Sequence, residues 1–379
     1  MRVDLLVVGA SFAGLACARA AARAGLSVLV LEKKPRAGAK LHTTGLIVKD
    51  AVDQLPWLAD APRALIRRIE AVRLYAPNMR HVDLHAPGYY FWATDTPALL
   101  DWMAALARAS GAMIELGALF QDARRAGGIW HAAVNQRTVQ ARYIIGADGP
   151  CSRVARALGL SRNTEFLYGV EHEYAAARMA PGLLHCFIDR QLAPGYIAWA
   201  FQGVAVSQIG LARRLPVNSA GPVRLDALLD KIKPVVRPGA SPPVAVRAGL
   251  IPCGGTLPNV AREGALLIGD AAGVVSPVTA GGIHRALKQG QDAGIAVARF
   301  LRGEAADPAA WFVRGYPRLR AKRMLRWAFD HFQSDRVFNS LLSTAPMRHA
   351  AALIYFHQKS GSPPAPPASS RPRSARLHP

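Results

Sequence analysis

One stretch at the start of the chain limits the folds open to it. The apolar run Asp4 to Val8 leads into Gly9-Ala10-Ser11-Phe12-Ala13-Gly14, an alanine-rich segment continues to Gly25, and a second apolar run from Ser27 to Leu31 ends at Glu32. Short apolar runs bounded by glycine read as strands and the alanine-rich stretch between them as a helix, so the segment forms a complete βαβ unit. That unit predicts an α/β fold built on a Rossmann-type domain. Gly9 permits the tight strand-to-helix turn, and Ser11, standing where a second glycine is usual, is small where the backbone must approach a pyrophosphate. Gly14 lets the helix pack closely on the strand. The amides around Phe12 and Ala13 then face phosphates, aided by the helix dipole. Glu32 stands where a carboxylate accepts hydrogen bonds from ribose hydroxyls. The Lys- and Gly-rich loop that follows, Lys33 to Lys49, adds Lys33 and Lys40 as cofactor-contacting candidates.

Glycine motifs recur twice more. Gly146-Ala147-Asp148-Gly149 again follows a strand and opens a helix, with Asp148 and Gly149 as cofactor candidates or, alternatively, as an ordinary Asx turn capping that helix. Farther on, a strand over Ala265 to Ile268 ends in Gly269-Asp270 and runs through Pro277 to Gly281-Gly282-Ile283 and a helix from His284 to Leu301. Asp270 is the carboxylate expected to hold a ribityl hydroxyl. Gly281 and Gly282 would present amides that stabilise negative charge on a reduced flavin ring.

Three motifs so far apart describe one interrupted domain better than three sites. The expected division gives a discontinuous FAD-binding domain over 1–50, 96–160 and 256–305, and a substrate domain over 51–95 and 161–255. A helical region over 306–357 and a tail over 358–379 follow. Thr96 to Ser110 reads as a helix, with Leu99, Leu100, Met103 and Leu106 at helical spacing, and Phe166 to Leu250 alternates as an antiparallel sheet with one face buried. The Pro-, Ser- and Arg-rich tail has almost nothing apolar to bury and is expected to stay unfolded.

The three motifs in this order resemble the FAD-binding superfamily of aromatic hydroxylases and, within it, the geranylgeranyl reductase family. The narrower resemblance rests on Pro194-Gly195-Tyr196-Ile197-Ala198-Trp199-Ala200-Phe201, similar to that family's Tyr-x-Trp-x-Phe substrate-pocket signature, and spans residues 1–300. It implies FAD, a β-sheet substrate domain, and reduction of isolated double bonds in prenyl chains of lipids or quinones. Gln202 stands where the family has a proline, Lys40 to Gly45 replaces its cysteine-containing loop, and Ala93 and Thr94 occupy the neighbourhood of a common arginine. On a regular strand Tyr196 and Trp199 differ in parity while Trp199 and Phe201 share it, so a bend near Gly195 is needed to gather all three. His42 with Thr43 and Thr44, and separately His284, are the candidates for proton delivery.

Composition bounds the partners. With 47 Lys and Arg against 25 Asp and Glu, the formal net charge is +22, which raises nucleic acid and anionic membrane as partners. No zinc spacing, RNA-binding aromatic signature or isolated basic recognition helix supports nucleic acid. The segment from Trp311 to Phe332 interleaves Arg314, Arg318, Arg320, Lys322, Arg323 and Arg326 with Tyr316, Leu325 and Trp327, a pattern able to lie on anionic lipid. Cys17, Cys151, Cys186 and Cys253 form no CxxC pair, which fits a reducing cytoplasm and gives no metal site. The start reads as a first strand rather than a signal peptide, and no window reaches the roughly 18 apolar residues of a spanning helix.

The expectation is therefore a cytoplasmic flavin-dependent reductase of a prenyl substrate, peripheral to a membrane, its FAD reduced by NADPH, NADH or a carrier protein. An FAD monooxygenase or halogenase-like enzyme acting on an aromatic or polyene compound is the alternative. A basic flavoprotein that only passes electrons is a third class.

Overall fold

The computed structural model describes residues 1–215 and 223–356, so the predicted tail lies outside the described residues. β1 (Arg2–Val8), α1 (Phe12–Arg23) and β2 (Val28–Glu32) form the opening βαβ unit. β3 (Ala71–Tyr75) and β4 (His81–His85) precede α2 (Thr96–Ala109), β5 (Met113–Leu116), β6 (Arg137–Gly146) and the short α3 (Arg153–Ala157). Then come β7 (Phe166–Tyr174), β8 (Leu183–Phe187), β9 (Ala198–Gln202), β10 (Ser207–Leu215) and β11 (Ala245–Pro252). β12 (Ala265–Leu267), the long α4 (Ile283–Leu301) and α5 (Arg320–Phe332) complete the elements that position the site.

An eight-stranded sheet carries the order β12-β6-β1-β2-β5 at its centre. β1 lies between β6 and β2, parallel to both, and β12 is parallel to β6. Every residue of β2 is buried, as expected for a parallel strand covered on both faces. One face packs on α1, α2 and α4 through Leu5, Val7, Leu15, Val30 and Leu99.

Helices α1 and α4 meet backbone to backbone. A methyl group on Gly290 would lie 2.2 Å from the Ala13 carbonyl oxygen, and one on Gly294 would lie 2.4 Å from that of Cys17. The glycines of α4 and the alanines of α1 therefore work as a pair, since larger side chains would separate the helices.

The second sheet has seven strands in the order β11-β7-β10-β9-β8-β3-β4. One face, with Tyr75, Phe187, Ala198 and Leu211, is closed by the helix Leu225–Ile232. The other, with Leu74, Cys186, Trp199 and Phe201, packs against Phe91 and Ala93 and reaches Ala280 in the third glycine segment. The segment expected as one loop from Lys33 to Lys49 carries a short strand, Leu46–Val48, in which the fully buried Ile47 pairs with Trp92. Three residues are too few to register as a period.

Glycine-to-alanine exchange in a helix interior ordinarily stabilises by about 1 kcal/mol. At Gly290 the sign reverses: Gly290→Ala is expected to lower the thermal midpoint by a few degrees, through an overpacking cost of ~1–3 kcal/mol, as differential scanning calorimetry would read it.

Candidate active site

Because β12, β6, β1 and β2 run parallel, their carboxyl ends bring Gly269, Ala147, Gly9 and Glu32 to one edge of the sheet. In open α/β sheets that edge is where ligands bind. Gly9 takes φ +106°, and a methyl there would lie 2.4 Å from the Ala147 carbonyl oxygen. A methyl on Gly14 would lie 1.9 Å from the Gly9 carbonyl oxygen, and one on Gly269 3.2 Å from Ala13 Cβ. The three motifs thus meet within side-chain distance.

Ser11 does more than stay small. Its Oγ donates to the Ala147 carbonyl at 2.9 Å and accepts from the Gly14 amide at 3.2 Å, which caps α1 and joins the first motif to the second. Phe12 and Ala13 are buried in the first turn of that helix. The buried Glu32 carboxylate accepts from the amides of Ala10 at 2.9 Å and Lys34 at 3.0 Å, bracing the turn between β1 and α1 against the loop that follows β2. Lys33 and Lys40 are exposed, Lys40 in the left-handed region at φ +46°. Lys34, which the sequence did not single out, donates from Nζ to the Lys40 carbonyl at 3.1 Å, and burial lowers its ammonium pKa.

Asp148 follows its capping alternative. Its carboxylate accepts from Ser152 Oγ at 2.6 Å and from the amides of Arg153 at 2.7 Å and Val154 at 3.2 Å, fixing the start of α3. Gly149 follows at φ +83°.

Asp270 behaves differently. Its backbone carbonyl is held by Asn163 Nδ2 at 2.9 Å, but its carboxylate accepts no hydrogen bond from the described residues, and burial pushes it up to about 6. The residue stands 3.3 Å from where a Gly282 methyl would sit. Pro277 is buried beneath the loop. The exposed Gly281 donates its amide to Thr279 Oγ1 at 3.3 Å, while Gly282 and Ile283 stand at the N-terminus of the 19-residue α4. A cradle that methyl groups would fill, a long helix's N-terminus and a half-buried carboxylate with no donor among the described residues fit the pyrophosphate and polyol of FAD.

On the sheet side, Gly195 takes φ +73° and makes the required bend. Its amide donates to Gln333 Oε1 at 2.9 Å and its carbonyl accepts from Arg326, so the middle of α5 and the residue that caps its end grip both polar groups of the hinge. Tyr196, just ahead of β9, then turns its hydroxyl to the Thr279 carbonyl at 2.5 Å, and burial pushes its phenol pKa up. Tyr196, Trp199 and Phe201 enter one buried cluster. Trp199 donates to Glu171 Oε2 at 2.7 Å.

The proton-delivery candidates lie on two separate elements. His42 bonds the Ala248 carbonyl through Nδ1 at 2.5 Å; a carbonyl can only accept, so Nδ1 carries the hydrogen and Nε2 is the basic nitrogen of the neutral ring. Thr43 gives its carbonyl to Arg247 at 2.8 Å and its Oγ1 to the Gly45 amide at 3.4 Å, with the partly buried Thr44 between them. His284 joins Nε2 to Gln54 Oε1 at 3.0 Å from the first turn of α4. Sequence reasoning missed Glu171, Glu173, Gln208 and Arg247, a polar set on the same sheet face as Trp199; inward parity of two glutamates on β7 was the available signal.

A family model described as FAD dependent oxidoreductase matches residues 4–164. A digeranylgeranylglycerophospholipid reductase of Methanopyrus kandleri is 31% identical over 335 residues, covering 83% of this chain and 81% of the relative. A geranylgeranyl bacteriochlorophyll reductase-like protein of Thermoplasma acidophilum superposes with TM-score 0.79 at 20% identity, covering 94% of this chain and 96% of that one. A flavin-dependent brominase shares the fold at TM-score 0.72 and 14% identity, covering 93% and 92%.

Asp270 yields a paired prediction. Burial raises its folded pKa, so its charge destabilises the apoprotein increasingly as pH rises through about 6. Asp270→Asn should raise the apoprotein's thermal midpoint at pH 8 and leave it nearly unchanged at pH 4. The same exchange should weaken FAD binding about tenfold above pH 7, measured by flavin fluorescence quenching, because it removes a charge-assisted acceptor.

Proposed function

The chain belongs to the geranylgeranyl reductase family of FAD-dependent oxidoreductases, and from that premise we propose that it reduces carbon–carbon double bonds in the prenyl chains of a lipid or quinone. The observation that carries the reading is the contact between Tyr196 and Thr279 at 2.5 Å, which sets the aromatic cluster of the sheet against the glycine loop that opens α4. Held there in its reduced form, FAD would supply the hydride for one alkene carbon. The chain orients the alkene, keeps water out and brings a proton to the other carbon.

Each part has a residue. Gly9, Gly14, Gly269 and Asp270 hold the cofactor; Tyr196, Trp199 and Phe201 form an apolar wall able to bind a chain without polar anchors. His42, with Nε2 as its basic nitrogen and Thr43 and Thr44 beside it, is the first proton carrier to test, and His284 the second. Electrons arrive from NADPH, NADH or a carrier protein.

An apolar lipid substrate also favours a surface location. On α5, Met324, Leu325, Trp327 and Phe332 are exposed among Arg320, Lys322 and Arg323. Such a face suits anionic lipid on the cytoplasmic side of a membrane. No helix among the described residues is long and apolar enough to cross one.

The deciding experiment is anaerobic. Reduced protein mixed with a geranylgeranyl lipid or prenylated quinone should regain oxidised-flavin absorbance and yield a product heavier by two hydrogens; reoxidation only on admitting oxygen would favour the monooxygenase alternative. Trp199→Ala should slow this step about tenfold, ~1.4 kcal/mol, with FAD still bound, and unchanged turnover would remove Trp199 from the pocket. In liposome flotation the protein should rise with anionic and not zwitterionic vesicles, more weakly at high salt.

A further inference from the structure

We infer that Glu171 is a positioning residue of this enzyme: it holds the indole of Trp199 flat across Gly210 and so fixes the wall against which the substrate chain lies. The inference rests on the reading of Trp199 as pocket wall.

The geometry begins with strand register. Glu171 on β7 faces Gly210 on β10, and Gly210 faces Trp199 on β9, so the three form one row on one face of the sheet. A methyl on Gly210 would lie 2.7 Å from indole Cζ2 and 2.8 Å from Cε2. Only a bare backbone in the middle of the row lets the ring lie over it and carry Nε1 to Glu171 Oε2 at 2.7 Å. A free indole in a pocket wall could tilt. This one is tied at its far end.

The tie is built into a longer chain. Gln208 Nε2 donates to Glu171 at 3.3 Å and to Glu173 at 3.1 Å; Glu173 is ion-paired with Arg247, which donates to the Thr43 carbonyl at 2.8 Å. Glu171 is 3% exposed and Gln208 1%. A carboxylate is a costly means of accepting from one indole N–H and one amide at a buried position, because a neutral acceptor would serve at a smaller desolvation cost. Arg247 is the one cation facing the two glutamates in this network, and Glu173 takes it.

Glu171 consequently carries a signature that packing alone does not. Burial pushes its carboxyl up to about 7, with Trp199 and Arg247 pulling down and Glu173 pushing up. As pH falls through that value the acceptor is neutralised and its bond to Trp199 weakens.

The test uses holoenzyme labelled with 5-fluorotryptophan, the Trp199 resonance being assigned by its loss in Trp199→Phe. In wild type that resonance should move with a midpoint near 7, and in Glu171→Gln it should not; a resonance flat with pH in wild type overturns the inference. Glu171→Leu, and Gly210→Ala as a second route to the same displacement, should each lower kcat/KM for a prenyl lipid about tenfold with FAD retained. In the Trp199→Phe background the same exchanges should cost less than about twofold, and additive losses overturn the positioning role. A wild type that reduces no prenyl substrate defeats the function reading instead, and the fluorine titration still decides whether Glu171 governs Trp199.

Discussion

At the carboxyl edge of the parallel sheet, the Gly9 backbone comes so close to the Ala147 carbonyl that one methyl group would stand 2.4 Å from it. This closeness lets Ser11 reach Ala147 and cap α1 in the same motion. It sets where α1 begins, and α4 lies on α1 through Gly290 and Gly294. The N-terminus of α4, with Asp270 and Gly282 beside it, is therefore located by a contact between two loops more than a hundred residues apart in the chain. The cradle proposed for the flavin is mostly backbone, and a side chain would fill it.

What could be read from the sequence was whatever a local pattern encodes. The βαβ unit, the helices over Thr96–Ala109 and Ile283–Leu301 and the strand ahead of Gly269-Asp270 follow from apolar runs and glycine punctuation. The bend at Gly195 was legible because the parity of Tyr196 and Trp199 demanded one and a glycine stood ready to make it. Asp148 was ambiguous for a physical reason, since a short carboxylate before a helix caps amides and binds hydroxyls with the same atoms. The tie between His42 and Ala248 depends on loop packing across 206 positions, which no local pattern contains. The row of Glu171, Gly210 and Trp199 needed the register of three strands.

Two carboxyls, Asp270 half-buried and Glu171 buried, illustrate opposite uses of desolvation. Asp270 and Glu171 are both raised by desolvation, Asp270 with no hydrogen bond to its carboxylate from the described residues and Glu171 with the Trp199 indole bound to it. In the first the described residues leave the acceptor unfilled, as the proposed flavin site would require, and in the second the fold completes the acceptor internally. Each lowers stability where it is ionised, and neither would be kept for packing alone. Functional sites concentrate groups of this kind.

The grip of α5 on Gly195 has a mechanical meaning. Arg326 holds the hinge carbonyl, Gln333 holds its amide, and the next residue, Tyr196, hangs from Thr279 on the glycine loop. The helix bearing the exposed Trp327 and Phe332 is thus one arm of a lever whose fulcrum is Gly195 and whose other arm rests on the loop that opens α4. Any free energy that seating of that helix were to contribute to occupancy of that loop would have to be returned in equal measure, because linkage is reciprocal.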